Sequence, residues 1–315
     1  MIKIFKVKSF AHTPFSNEED LGYLRKHGLE ITTDIRNADV LISQNFKHLK
    51  KYFLRYLKEK QFLVWTLEPR FDTSFTSFRK ILFGFHKCYF MNIYTQDIFI
   101  TIPAFNLPGI KKNLSLLSED SRIENKKIVA LMSHYQGVNS KHLLRNNVNI
   151  DLIGLRSKIA IEGYKHGILD IYGKGWPDNI SIEDSRAGNW PGRKEEILRE
   201  YSFNLCFENT IAYNYITEKI WDSIGSYCLP IYFGKDTNIY KIFPRNSFID
   251  YSDFKDPTSL FNFIENISDV DFVTRLNKCI NVYNSLSKLG KADEWEIKKK
   301  ILKNIIDKCN VIMSK

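Results

Sequence analysis

Short apolar runs alternate with helix-like stretches through both halves of the chain, and this alternation constrains the fold more than any other feature. It is the signature of layered α/β domains with largely parallel sheets. In the first half the expected strands are 2–7, 39–43, 62–66 and 88–93, with helices over 18–26 and 46–60. The first helix runs into His27-Gly28, a natural stop because glycine readily takes the left-handed conformation that ends helices. The pattern restarts with strands over 128–132, 168–172, 203–207 and 229–233, and helices over 156–165, 194–200 and 218–226. Between the halves, 103–126 carries Pro, Gly, Ser and clustered charge without a clear period and reads as a linker. The expectation is two Rossmann-like domains, 1–115 and 116–288, with ligands held at the carboxyl ends of the strands.

The remaining segment, 289–315, reads as an amphipathic helix. Ile297, Ile301, Ile305 and Cys309 recur at helical spacing, and lysines 298, 299, 300, 303 and 308 cover the other faces. Two uses stay open for it, docking on the protein core or settling on an anionic membrane surface. The net charge of +10 favours anionic partners without choosing among nucleic acid, lipid and nucleotide-sugar. There is no zinc-finger spacing, basic-region heptad or aromatic RNA-binding signature, so nucleic acid is not expected. The five cysteines, Cys88, Cys206, Cys228, Cys279 and Cys309, are scattered through mostly apolar runs and read as reduced core thiols. With no signal-peptide h-region and no long apolar run, the chain is expected in the cytoplasm, with peripheral contact at the inner face of the membrane as the alternative.

The chemistry concentrates in 201–234. Phe203, Leu205 and Phe207 alternate with polar partners, which places Glu208 and Asn209 at a strand's carboxyl end. Thr217 is a suitable N-cap, followed by Glu218 and Lys219. A helix N-terminus offers free N–H groups to an anion such as a diphosphate. A lysine in that first turn is opposed by the helix dipole, so its presence points to a bound anion. An ordinary solvated first turn, with Tyr215 in the core, is the competing reading of the spacing alone.

The string carries more than its spacing. Phe203, Leu205, Phe207, Glu208 and Asn209, then Tyr215, Ile216, Thr217, Glu218 and Lys219, then Pro230, Ile231 and Gly234 follow F-x-L-x-F-E-N, Y-I/V-T-E-K and P-I/V-x-x-G without a gap. This resembles the signature of the family-10 α1,3/α1,4-fucosyltransferases, bacterial members most closely. Phe243-Pro244, Ser247-Phe248-Ile249 and Asp253-Phe254 extend the likeness. The resemblance covers about 127–254 well, the first domain loosely and the tail not at all. It implies a GT-B fold, two Rossmann-like domains facing each other across a cleft, and an inverting transferase using GDP-β-L-fucose as co-substrate. Carried over, Asn209 and Tyr215 hold the nucleotide, Glu218 bonds sugar or ribose hydroxyls, and Lys219 neutralises the diphosphate, with Glu208 and Thr217 in support. The family's diphosphate-binding arginine corresponds to Arg156, with Arg145 as competitor.

Inverting transfer needs a base for the acceptor hydroxyl. Glu68, where Leu63-Val64-Trp65-Thr66 runs off a strand into Pro69, matches the family's base position, with Asp72 as runner-up. Arg70 could bind acceptor or a carboxylate, while His86 and His134 read as structural. No HExxH or paired His/Asp cluster supports a metal site and no DxD element is convincing, so neither a metal nor an obligatory cofactor is expected. The implied acceptor is a GlcNAc- or Glc-type sugar of a lipopolysaccharide or O-antigen glycan, read by loops such as 9–18 and 69–79, with α1,3-type linkage. A transferase for another GDP-linked deoxysugar is the alternative within enzymes, and a non-catalytic basic nucleic-acid- or membrane-binding protein the one outside them.

Overall fold

A computed structural model describes residues 1–8, 14–95, 98, 110, 113–135, 143–184, 190–289 and 291–314. Of the expected linker, 103–109 and 111–112 lie outside the described residues, as do 9–13 of the first acceptor loop. The chain divides into two compact units, Met1–Ile100 with Lys291–Lys315, and Thr101–Gly290.

The first unit is built on β1 (Ile2–Lys6), α1 (Glu18–Lys26), β2 (Leu29–Thr32), β3 (Val40–Ser43), α2 (Phe46–Tyr56), β4 (Gln61–Thr66), β5 (Phe78–Ile81) and β6 (His86–Asn92). Its sheet runs β2-β1-β3-β4-β6-β5, parallel throughout except for β5, which pairs antiparallel with β6 at the edge. The two edge strands were not expected from the sequence, because Leu29-Glu-Ile-Thr and Phe78-Arg-Lys-Ile bury too little to make an apolar run. The second helix stops four residues before its expected end. Lys60 is buried there, and its ammonium donates to the Arg36 and Ala38 carbonyls at 3.0 and 2.7 Å, so the chain has left the helix to start β4.

The second unit contains β7 (Ile128–Leu131), a small hairpin β8 (Leu144–Arg145) and β9 (Val148–Asn149), α3 (Ile153–His166), β10 (Leu169–Tyr172), α4 (Trp190–Leu198), β11 (Phe203–Leu205), α5 (Glu218–Gly225), β12 (Leu229–Tyr232), β13 (Ile249–Asp250), α6 (Pro257–Asn266) and α7 (Asp269–Ser287). Its five-stranded sheet has the order β10-β7-β11-β12-β13 and is parallel throughout. Alternate side chains of β7 go to opposite faces. Ile128 and Ala130 join a core with Ile159 and Ala160 of α3, while Val129 packs with Ile197 and Leu198 of α4. The sheet is therefore wound on both sides, and chain order reverses between β7 and β11. Open α/β sheets form their ligand crevice at such a switch point, outside the carboxyl ends of the two strands.

Two glycines are fixed by close approach. Gly173, at φ 129°, would put a Cβ 2.3 Å from the Met132 carbonyl oxygen, locking the β10 loop against the end of β7. A Cβ on Gly234 would lie 2.3 Å from Asp250 Oδ2, the carboxylate that takes the Gly234 N–H at 2.9 Å. The last glycine of the P-I/V-x-x-G string thus has a packing reason.

The tail forms α8 (Lys291–Met313), grouped with the first unit. Its Ile301, Leu302, Ile305, Cys309 and Ile312 are fully buried. Trp295 sits edge-on to Tyr23 of α1, and Lys298 pairs with the buried Asp20 at 2.6 Å. Most of the apolar stripe is thus used inside the protein, while Val311 and Met313 at the end of the helix stay exposed. All five cysteines are free and buried.

Candidate functional site

The carboxyl ends of β7 and β11 frame a recess lined by Leu131, Met132, Asn204, Leu205 and Cys206 and by the cations Arg156, Lys194 and Lys219. It lies at the switch point of the sheet. Arg156 comes from the first turn of α3. That turn begins at Asp151, whose two carboxylate oxygens accept the Ile153 and Gly154 N–H groups. The buried Arg156 reaches across to the segment after β11 and donates from Nη1 to the Phe207 carbonyl at 3.0 Å.

Lys219 is held by Glu208. That carboxylate is 3% exposed and accepts the Thr217 N–H at 2.7 Å, the Thr217 hydroxyl at 2.8 Å, the Lys219 ammonium at 2.9 Å and the Tyr232 hydroxyl at 3.3 Å. The expected capping by Thr217 needs correction. Thr217 occupies the N-cap position with extended backbone, but its hydroxyl faces Glu208 and Lys219 and makes no cap bond. The argument that Lys219 requires a bound anion also changes, because the chain supplies Glu208 and, at 3.6 Å, Glu218. Burial alone would lower the Lys219 pKa, but these two carboxylates outweigh it and raise it. Lys219 in turn holds the Glu218 carboxyl at about 2 against the opposing effect of burial. Both groups are charged at neutral pH.

Lys194 was missed in the sequence. It lies in Arg193-Lys194-Glu195-Glu196, which reads as a solvated helix face. In the fold only Lys194 of these four turns inward, 13% exposed and paired with Asp222 of α5. Arg193 instead pairs outward with Glu183 and Glu196. Burial pushes the Asp222 carboxyl up, partly offset by Lys194. Cys206 at the same recess is a neutral thiol, pushed up to about 12 by burial.

Of the expected second-unit residues, Glu208, Asn209, Tyr215, Thr217 and Glu218 do not line this recess. Asn209 accepts the Leu152 N–H on its carbonyl, and its side-chain Oδ1 is buried with no hydrogen-bond partner among the described residues. Such an orphan acceptor calls for a ligand or water. Tyr215 is buried in the turn before α5, its N–H on the Ala212 carbonyl. Arg145, the competitor of Arg156, sits in β8 and does not line the recess.

In the first unit Glu68 lies two residues past β4, exposed, with its N–H on the Thr66 hydroxyl at 3.0 Å. Asp72 is different. It is buried and accepts from the Ser74 hydroxyl at 3.0 Å and the Asn92 amide at 2.7 Å, which is the work of a turn-holding carboxylate. His134 bonds the Gly175 carbonyl through Nδ1 at 3.1 Å, and His86 opens β6 opposite Ile81.

The family description "Glycosyltransferase family 10 (fucosyltransferase) C-term" matches residues 126–309, more than half of the chain. The chain belongs to glycosyltransferase family 10. The matched region contains every residue of the recess and the whole 201–234 string. Among family-10 relatives, the α-(1,3)-fucosyltransferase FucT of Helicobacter pylori is 43% identical over 90 residues, 29% of this chain and 17% of that protein. The fucosyltransferase FUT6 of Gorilla gorilla gorilla is 33% identical over 104 residues, 32% of this chain and 26% of that protein. The chain thus matches only about a sixth to a quarter of the length of these curated relatives. A crystal structure of an α1,3-fucosyltransferase superposes with a TM-score of 0.47 at 16% identity, covering 96% of this chain and 90% of that one.

Proposed function

We propose that this family-10 chain is an inverting fucosyltransferase that binds GDP-β-L-fucose in its second unit and transfers L-fucose to a hydroxyl of an acceptor glycan. The observation that carries the reading is the convergence of Arg156, Lys194 and Lys219 on one recess at the β7/β11 switch point. Three cations there suit a diphosphate better than a neutral ligand. Relatives named as α-(1,3)-fucosyltransferases support fucose and an α1,3-type linkage.

In the reaction, the acceptor hydroxyl gives its proton to a base and its oxygen bonds to the anomeric carbon from the face opposite the nucleotide. The bond from that carbon to the β-phosphate oxygen breaks, and GDP leaves with the electron pair. One negative charge develops on the departing diphosphate, where Arg156 and Lys219 would stabilise it. Asn209 and Tyr215 would hold the nucleotide, and Glu218 would accept from sugar or ribose hydroxyls, with Glu208 and Thr217 fixing Lys219. Glu68, exposed at the end of a strand, is the proposed base. The acceptor in this reading is a GlcNAc- or Glc-type sugar of a lipopolysaccharide or O-antigen glycan. Among the described residues no helix is long and apolar enough to cross a membrane.

The test is GDP release from a panel of GDP-sugars with candidate glycans. GDP-fucose should turn over fastest, and Glu68→Gln should lose at least about a hundredfold in kcat. Faster turnover of another GDP-sugar would move the donor assignment, and wild-type-like Glu68→Gln turnover would remove Glu68 as base.

A further inference from the structure

The β5–β6 hairpin presents an apolar tip within a basic surface, outside the residues the family description matches. Phe83 is 101% and Phe85 81% exposed, whereas neighbouring Leu82 packs onto the core of the first unit. Leu82 and Phe83 take φ of 50° and 58°, a left-handed conformation that bulky residues rarely adopt. Holding Phe83 exposed in this conformation, with Phe85 exposed beside it, costs the free protein.

The surroundings define what covers them. The run 77–90 holds Arg79, Lys80 and Lys87 and no Asp, Glu, Asn or Gln. Lys80 and Lys87 lie directly opposite each other in the ladder, a like-charge pairing that weakens a hairpin. Neither forms an ion pair among the described residues. Lys87 sits over the Phe78 ring at 4.7 Å on the face it shares with Lys80, while Arg79 projects from the opposite face of β5 and shares the Phe46 ring with Lys50 of α2, so both faces of the hairpin carry positive charge. A second copy of the chain would bring the same cations together. Within the hairpin itself a glycan would find no carboxylate or amide side chain to bond its hydroxyls. An anionic bilayer satisfies both features, taking the rings among its acyl chains and the cations against its headgroups.

We infer that the hairpin tip is a membrane-contact site, inserting Phe83 and Phe85 into an anionic lipid surface while Arg79, Lys80 and Lys87 hold the headgroups. The inference goes beyond the transferase reading and does not depend on it. It also places membrane contact away from α8, where Ile301, Leu302, Ile305, Cys309 and Ile312 are fully buried.

The test is flotation of the full chain with phosphatidylcholine vesicles, with and without phosphatidylglycerol. The wild type should float only with phosphatidylglycerol and release at high salt. Phe83→Ser with Phe85→Ser should weaken partitioning at least about tenfold. Lys80→Gln with Lys87→Gln should weaken it about 25-fold, at about fivefold per cation. Unfolding temperature and turnover on a soluble acceptor should stay at wild-type values in the phenylalanine variant. No flotation of the wild type would overturn the inference, as would tip variants that float like it. So would loss of binding only with Lys300→Gln and Lys308→Gln on α8. Tip variants that lose glycan affinity or self-association while still floating would reassign the surface and overturn it too.

Discussion

Replacing Glu208 by Gln should unfold the second unit far more easily while hardly changing its shape. The carboxylate is 3% exposed and is shared by the Thr217 N–H and hydroxyl, the Lys219 ammonium and the Tyr232 hydroxyl. An amide keeps the volume but offers one acceptor where two are used, and turns a donor toward Thr217 or Lys219. Neutralising one member of a buried pair costs about 3–5 kcal/mol. Lys219 keeps 27% exposure, so water relieves part of its lost pairing and the lower end, about 3 kcal/mol, is expected. Against a fold stability of about 5–15 kcal/mol, that is a large fraction. Urea unfolding followed by tryptophan fluorescence should show a midpoint lowered by about 1–3 M, given ordinary urea slopes. Adding Lys219→Met to Glu208→Gln should cost much less than Lys219→Met alone, because the cation then has no carboxylate to leave behind. A Glu208→Gln midpoint equal to the wild type, with additive double-mutant effects, would refute the reasoning.

Other consequences follow from the same contacts. Lys194→Met should weaken GDP binding about tenfold to a hundredfold by calorimetry, the worth of one charge-assisted bond to phosphate, whereas Asp222→Asn should leave affinity equal or tighter. A purely structural pair would give both variants the same loss. Gly234→Ala must displace Asp250 from the Gly234 N–H and from the Tyr240 hydroxyl at 2.6 Å, and should cost about 2–4 kcal/mol in denaturant unfolding. Glu218 has its folded pKa depressed to about 2, so its stabilising contribution is present above the ordinary carboxylate range and lost as pH falls towards 2. Glu218→Gln should therefore flatten the acid limb of the stability profile in that window, and an unchanged limb would contradict the assignment.

The alternating apolar runs made both sheets legible, since parallel strands are buried on both faces and read as continuous hydrophobic stretches. What escaped were elements whose stability comes from neighbours. Edge strands β2 and β5 carry too many charged residues to stand out, and α6 was passed over although Asp256, Pro257 and Ser259 spell a capping box. At the recess, Lys219 was readable from the string, and Arg156 only from the resemblance, with Arg145 competing. Lys194 was not, because its sequence neighbours are charged and only the packing of α4 on the sheet decides which of them turns inward. The role of Glu208 was underread for a related reason. A strand-end carboxylate looks free in one dimension, and its partners lie nine, eleven and twenty-four residues away.

The most direct test of the recess as donor site is a crystal structure of the chain with GDP. The account predicts diphosphate oxygens within about 3 Å of the Arg156 guanidinium and of the Lys194 and Lys219 ammonium groups, at the carboxyl ends of β7 and β11. A diphosphate bound elsewhere, with these three side chains still turned to their protein partners, would contradict it.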